Sequence, residues 1–174
     1  YLIFHFKSKK KLLIHLGMSG TIYLVKKNNK TRTNLSFYKN FDLPIKHNHI
    51  VFYLNNGFKL IYNDPRRFGF FKLLTKDFLN EKPFNKLGPD PLSVRFNYKY
   101  INNYIKNRKK NIKNLLMDQN FVSGIGNIYA NEILFHCKLN PTKNASYLNN
   151  TNVLSLIQNT RKVLKEAILF GGST

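Results

Sequence analysis

Between Leu74 and Ser93 the spacing of apolar residues changes from every second position to every third or fourth, and a chain with that change must be built in two different ways. Before it, the runs Leu2 to Phe6, Leu12 to Leu16, Thr21 to Val25, Ile50 to Leu54, Phe58 to Tyr62 and Phe70 to Leu74 are separated by turn-forming clusters, which predicts an antiparallel β-sandwich or barrel. Asn55-Asn56-Gly57 between two of these runs predicts a hairpin with a tight primed turn, because Asn and Gly tolerate positive φ. Pro83 to Leu92 carries three prolines and a glycine and reads as an interdomain connection. Beyond it, Ser93 is placed to cap a helix bearing Phe96, Tyr100 and Tyr104, and Ile112 to Met117 forms a short second helix. Gly124-Ile125-Gly126-Asn127 then opens a helix with Ile128, Ala130, Ile133, Leu134 and Cys137 at helical spacing. A last helix carries an apolar stripe from Val153 to Ile168 and ends at Gly171. The expected class is α+β: an antiparallel β-sandwich domain over residues 1–82, a linker over 83–92, and an all-α domain over 93–174 with a helix, a double turn and a helix.

The charge narrows the partner. With 29 Lys plus Arg against 8 Asp plus Glu, a net +21 exceeds what solubility needs and attracts polyanions, so nucleic acid is the expected partner. Part of that charge reads as compositional drift, because most of the cations are Lys and the chain is dense in Asn, as expected of an AT-rich genome. A solvated Lys-coated surface is the rival reading. The single cysteine, Cys137, excludes an internal disulfide and cannot alone build a zinc site, which points to a reducing cytosol. No apolar run is long enough to span a membrane and no signal peptide precedes the first strand, so no membrane is expected as a partner. Tyr1 already lies inside a strand pattern and Thr174 follows the helix-ending Gly171-Gly172, so the chain is expected to be truncated at both ends.

Three short segments carry chemistry. Gly124-x-Gly126-Asn127 at a helix start offers unpaired backbone N–H groups and the positive end of the helix dipole to a phosphate, with Arg108, Lys109, Lys110 and Lys113 upstream. A dinucleotide fold is disfavoured because the third glycine is absent and no strand leads in; a corner that lets two helices pack is the plainer alternative. Asp64-Pro65-Arg66-Arg67-Phe68-Gly69 places two arginines together in a chain that otherwise prefers Lys, as a planar bidentate donor requires, with Phe68 able to point the same way as Arg66 in an extended segment. The alternative is a turn whose Arg pairs with Asp and whose Phe is core. His15-Leu16-Gly17-Met18-Ser19-Gly20 puts a flexible apolar side chain at the tip of a sharp turn, where it can wedge into a base stack or, more plainly, pack in the core. His15, His47 and His49 can donate to phosphates or serve structurally.

Taken together, HLGMSG at 15–20, NDPRRFGF at 63–70, LGPDPL at 87–92 and IKNLLMDQNFVSGIGNIYANEILF at 112–135 resemble the successive signatures of the bacterial formamidopyrimidine-DNA glycosylases, in order and spacing, over essentially the whole chain. The resemblance implies a β-sandwich joined to a helix-two-turns-helix domain with DNA crossing between them. Met18, Arg66 and Phe68 match the family's intercalating triad, with Arg66 reaching the orphaned cytosine. His15 and Asn127 match phosphate-pinching residues, His47, Arg108, Lys109 and Lys113 fall at or beside backbone contacts, and Glu132 matches a carboxylate near the reaction centre or is a solvated helix residue. The implied partner is double-stranded DNA containing oxidised bases, bound by a monomer in the bacterial cytosol. The implied activity is base-excision repair: an N-terminal proline amine attacks C1′ of the flipped nucleotide, releases 8-oxoguanine or a formamidopyrimidine, and nicks the strand by β- and δ-elimination. That proline, the glutamate after it, the elimination lysine and a four-cysteine zinc finger have no counterparts in this sequence, so zinc belongs to the complete protein and none is expected on this chain. Two rivals remain: a non-catalytic nucleic-acid binder of the ribosomal helix-two-turns-helix type, and an inactive relic of the glycosylase.

Overall fold

The computed structural model describes residues 1–26, 46–106 and 108–172, and the backbone of 31–33. Two units follow one another along the chain, Tyr1–Phe78 and Leu79–Thr174. The boundary falls at residue 78 rather than 82, and the expected linker 83–92 belongs to the second unit. Backbone hydrogen bonds from Gly88 N–H to the Gln119 carbonyl and from Ser123 N–H to the Pro89 carbonyl fasten it there.

The first unit contains two antiparallel sheets. One has the order β1 (Leu2–His5), β2 (Lys11–His15), β7 (Phe70–Leu74); the other has β4 (Thr31–Thr33), β3 (Thr21–Val25), β6 (Lys59–Asn63), β5 (Asn48–Tyr53). Leu12, Leu13 and Ile14 of β2 are all buried, so the central strand of its sheet is covered on both faces and departs from simple alternation. Aromatic rings bridge the sheets: Phe4 lies 6.5 Å from Phe52, Phe52 6.1 Å from Phe71, and Tyr62 meets Phe71 edge-on at 4.8 Å. The β5–β6 hairpin forms as expected but with a different turn. Gly57 N–H donates to the Leu54 carbonyl and only Gly57 takes a positive φ, 78°, so the loop is a three-residue turn closed by a left-handed glycine, not a primed two-residue turn.

The second unit is helical: α1 (Tyr98–Ile105), α2 (Ile112–Leu116), α3 (Asn127–His136) and α4 (Asn150–Phe170). Its core joins Phe96, Ile101, Ile112, Leu115, Leu116, Phe121, Val122, Ile125, Ile133, Val153 and Leu156, with Phe96 and Phe121 edge-on at 6.1 Å. Ser93 does not cap α1; its hydroxyl donates to the Asp90 carbonyl, and Asn97 accepts from Tyr100 N–H instead. Residues 93–96 are thereby spent on a turn, which leaves Phe96 buried ahead of the helix. The stripe of α4 stays buried through Val163, whereas Ile168 lies exposed beside an open groove shared with Pro91, Leu92, Leu164 and Ala167. Ile128 is likewise exposed at the start of α3. No helix among the described residues is long and apolar enough to cross a membrane.

Candidate nucleic-acid interface

In the first unit, two loops meet at one end of the sandwich. The Gly17–Gly20 loop is closed by Gly20 N–H donating to the Leu16 carbonyl, and Met18 stands at its tip with 75% of its surface exposed. The second loop turns at Asp64, where Arg67 N–H donates to the Asp64 carbonyl, and continues through Arg67 at φ 56°. Arg66 and Phe68 are thus brought together by a turn and not by an extended segment; the guanidinium carbon sits 4.6 Å from the centre of the Phe68 ring. Phe68 is 55% exposed, which excludes the core reading for it as for Met18. The loops touch through backbone: Gly17 has φ 66°, and a Cβ there would meet Phe68 and Gly69 main-chain atoms at 2.8 Å.

Asp64 holds this arrangement. Its carboxylate is fully buried and accepts from Ser19 Oγ at 2.5 Å, Tyr62 Oη at 2.8 Å and Gly69 N–H at 2.9 Å. Ser19 Oγ in turn accepts from Arg66 N–H at 3.3 Å. Burial pushes the Asp64 carboxyl upward, but the donors outweigh it and hold the group down at about 2, while burial and the Asp64 charge raise the Tyr62 phenol. Because the folded value lies below the ordinary 3.8, Asp64 contributes stability that is complete above that pH and is lost as pH falls toward about 2. Thermal melts from about pH 5 downward should therefore show a decline that Asp64→Asn reduces.

His15 and His47 lie in the same unit. His15 stacks on its cross-strand partner Phe70 at 5.5 Å, and its Nδ1 accepts from Gly17 N–H at 2.9 Å, which assigns the ring proton to Nε2 as a donor. His47 is exposed at φ 69° and its carbonyl accepts from Asp64 N–H. His49 places Nε2 2.9 Å from the Asp64 carbonyl oxygen and so serves the loop structurally.

In the second unit, Gly124, Gly126 and Asn127 are exposed at the start of α3. A Cβ on Gly124 or Gly126 would meet nothing within 4 Å, so neither glycine is there to let helices pack. Gln119 fixes the loop, accepting from Gly124 N–H at 2.8 Å and donating to the Ile125 carbonyl at 2.9 Å. Among the described residues, α1, α2 and α4 are capped by Asn97, Asn111 and Asn149, whose side chains accept a first-turn N–H, whereas α3 begins at Gly126 without a side-chain cap. Its first N–H groups therefore point outward at the positive end of a ten-residue helix.

The basic run is partly engaged. Arg108 Nε donates to the Tyr104 carbonyl at 2.8 Å and stacks 4.0 Å over the Tyr104 ring, and Lys110 pairs with Asp118 at 2.8 Å. Lys109 and Lys113 make no side-chain hydrogen bond or ion pair among the described residues. Glu132 is exposed on α3, in a groove with His136 and Glu166. No group of three His, Cys, Asp or Glu among the described residues could hold a metal, and Cys137 is half-buried against the Ser155 carbonyl, so these residues do not fit a structural zinc. Ser19, Tyr62 and Gln119 carry no local sequence signal for these roles, and Asp64, the Arg partner in the alternative turn reading, accepts from Ser19, Tyr62 and Gly69 instead. An acidic residue at a strand end before Pro was the available signal for Asp64.

Comparison with known proteins follows the same division. A family model described as the formamidopyrimidine-DNA glycosylase H2TH domain matches residues 87–174, and one described as the formamidopyrimidine-DNA glycosylase N-terminal domain matches residues 1–71. A formamidopyrimidine-DNA glycosylase of Rickettsia felis is 41% identical over 174 residues, covering 100% of this chain and 58% of that protein. The crystal structure of the MutM (Fpg) protein from Thermus thermophilus aligns with TM-score 0.81 and 32% identity, over 99% of this chain and 58% of that one. A Lactococcus lactis Fpg mutant in complex with a Fapy-dG containing DNA aligns with TM-score 0.84 and 30% identity, over 100% and 59%. The chain thus spans less than two thirds of the length of these relatives.

Proposed function

The chain belongs to the formamidopyrimidine-DNA glycosylase family, and we propose that it supplies the DNA-gripping and base-extruding parts of a base-excision-repair glycosylase and AP lyase acting on oxidised purines. The observation that carries this reading is the joint exposure of Met18, Arg66 and Phe68 on two interlocked loops. Large apolar side chains at exposed loop tips contribute nothing to a core, and inserted between base steps they fill the gap left by an extruded nucleotide. Arg66, with its guanidinium carbon 4.6 Å from the centre of the Phe68 ring, offers paired donors to the edge of the unpaired base. The L. lactis Fpg mutant's complex with a Fapy-dG containing DNA supports DNA as the partner.

Phosphates are then held by His15 Nε2, by the open start of α3 with Asn127, and by Lys109 and Lys113, with His47 and Arg108 as further candidates for backbone contact. Glu132 is exposed and free to approach a bound nucleotide. The proline nucleophile, the elimination lysine and the zinc finger of the family would lie in the share of the relatives' length that this chain does not span, so no chemical step is assigned to its residues.

The test is binding to intact duplex and to duplex with a tetrahydrofuran abasic analogue opposite dC, by fluorescence anisotropy across a salt series. The expected result is tighter binding to the abasic duplex and a log–log salt slope of about −3, as neutralising some three phosphates releases their counterions. A flat slope would assign the +21 charge to compositional drift rather than to a binding surface.

A further inference from the structure

Asp64 is an unusual residue to bury at a loop flanked by two arginines. A carboxylate taken out of water must be compensated, and the adjacent guanidinium groups of Arg66 and Arg67 are the obvious partners. Neither forms an ion pair with it among the described residues. The compensation comes from neutral donors instead: the Ser19 hydroxyl from the Met18 loop, the Tyr62 hydroxyl from β6, and Gly69 N–H from the end of the Arg66–Phe68 loop. The Asp64 main chain adds Arg67 N–H and His49 Nε2 on its carbonyl.

These donors come from three separate segments. Tyr62 anchors the network in the sandwich interior through its edge-on contact with Phe71. Gly69 is backed so closely by Tyr62 and the His15 carbonyl that a Cβ would collide with both. Ser19 ties the Asp64 carboxylate to the Met18 loop through its side chain, and it also receives Arg66 N–H. Neutral compensation leaves the Arg66 guanidinium free to lie over Phe68.

We propose that Asp64 and Ser19 form a positioning pair that sets the Met18 tip against the Arg66–Phe68 tip before DNA binds, so that the two enter the base stack as one preformed wedge. This rests on the reading of Met18, Arg66 and Phe68 as the inserted residues. Preforming the wedge removes the cost of ordering two loops at the moment of extrusion, so the pair acts on discrimination for the lesion and not on the phosphate contacts that set general affinity.

The experiment uses the 174-residue chain with Ser19→Ala, Ser19→Thr, Met18→Ala and Arg66→Ala, reading the ratio of affinities for the tetrahydrofuran duplex and the intact duplex, with thermal melting of each variant. Ser19→Ala removes one link and leaves Asp64 its Tyr62 and Gly69 donors, so cooperative melting is expected to persist. The ratio should fall about tenfold, the scale of one hydrogen bond to a charged group, with intact-duplex affinity unchanged. Ser19→Thr, which keeps the hydroxyl, should restore it. A ratio unchanged in Ser19→Ala but lowered in Met18→Ala and Arg66→Ala overturns the positioning role and leaves the wedge standing. A ratio unchanged in all of these variants, or absent in the parent chain, overturns the wedge reading and this inference with it. Parallel loss of affinity for both duplexes in Ser19→Ala, or loss of cooperative melting, makes Ser19 a structural residue only and also overturns the proposal.

Discussion

Gly126→Asp should raise the melting temperature and lower DNA affinity in the same protein. The backbone at Gly126 has φ −108° and ψ −173°, which any residue adopts and which is the geometry of a helix N-cap. The space around it is open, so an Asp side chain meets no neighbour on entering. Once there, its carboxylate can accept from the first-turn N–H groups of α3 and lies at the favourable end of the helix dipole. The gain is a few tenths to ~1 kcal/mol of stability. The three neighbouring helices already use this device with Asn, in a chain where Asn is abundant, so its omission at α3 alone gives up stability. On the proposed reading, a phosphate seated on the same N–H groups would explain the omission, because a side chain occupying them would exclude it. With Asp, like-charge repulsion adds to the lost contact, and affinity for duplex DNA should fall roughly a hundredfold. Gly126→Asn should show the same stabilisation with a smaller loss of affinity. Circular dichroism melts and anisotropy titrations read the two quantities separately. Lowered melting temperature would mean that the glycine serves packing after all, and undiminished binding by the Asp variant would remove the start of α3 from the interface.

That contrast between capped and uncapped helices was only half visible in the sequence. Gly124-Ile125-Gly126-Asn127 announced a helix start with free donors, because glycines and a following helical period are local signals. The Asn caps of α1, α2 and α4 are hidden in sequence among many other Asn residues, and Ser93, an equally good cap by residue type, gives its hydroxyl to the Asp90 carbonyl. Six strands were legible from their apolar runs and the turn clusters between them. β4 is only three residues long, Thr31–Thr33, which is too short to show a period. At the loop end of the sandwich, resemblance named Met18, Arg66 and Phe68, and the tip position of Met18 followed from its flanking glycines. What could not be read was the frame beneath them. Ser19 and Asp64 are 45 residues apart, and no local pattern signals a hydrogen bond at that separation. The same holds for the basic run: sequence counts Arg108, Lys109, Lys110 and Lys113 alike, while folding commits Arg108 to Tyr104 and Lys110 to Asp118.

Met18→Ala should leave the fold untouched and nearly abolish extrusion of a lesion. With 75% of its surface already in water, the side chain has little burial to lose, and the expected change in stability is within ~0.5 kcal/mol. A methionine packed in a core would instead cost ~2–5 kcal/mol on truncation. The loop that carries it keeps its own closure, Gly20 N–H on the Leu16 carbonyl, so the backbone at the tip should not move. What is removed is the apolar volume that would occupy the gap beside an extruded nucleotide and offset an unstacking cost of a few kcal/mol. Fluorescence of 2-aminopurine placed next to the lesion reports that gap directly, and its rise on binding should drop about tenfold in amplitude or rate for a loss on the order of 1.4 kcal/mol. The substitution takes away no charge, so affinity for intact duplex and its salt slope should stay at the parent values. Lys113→Ala should behave in the opposite way. Its ammonium group has no ion-pair partner among the described residues, and its loss should weaken binding to damaged and intact duplex equally and make the salt slope shallower by about one unit. Arg66→Ala should fall between the two, with little change in general affinity but a blunted preference for dC opposite the lesion, because a methyl group cannot satisfy the base edge that a guanidinium can. If Met18→Ala extrudes the base at the parent rate, the exposed methionine is a surface residue without a part in recognition, and the wedge must be rebuilt from Arg66 and Phe68 alone.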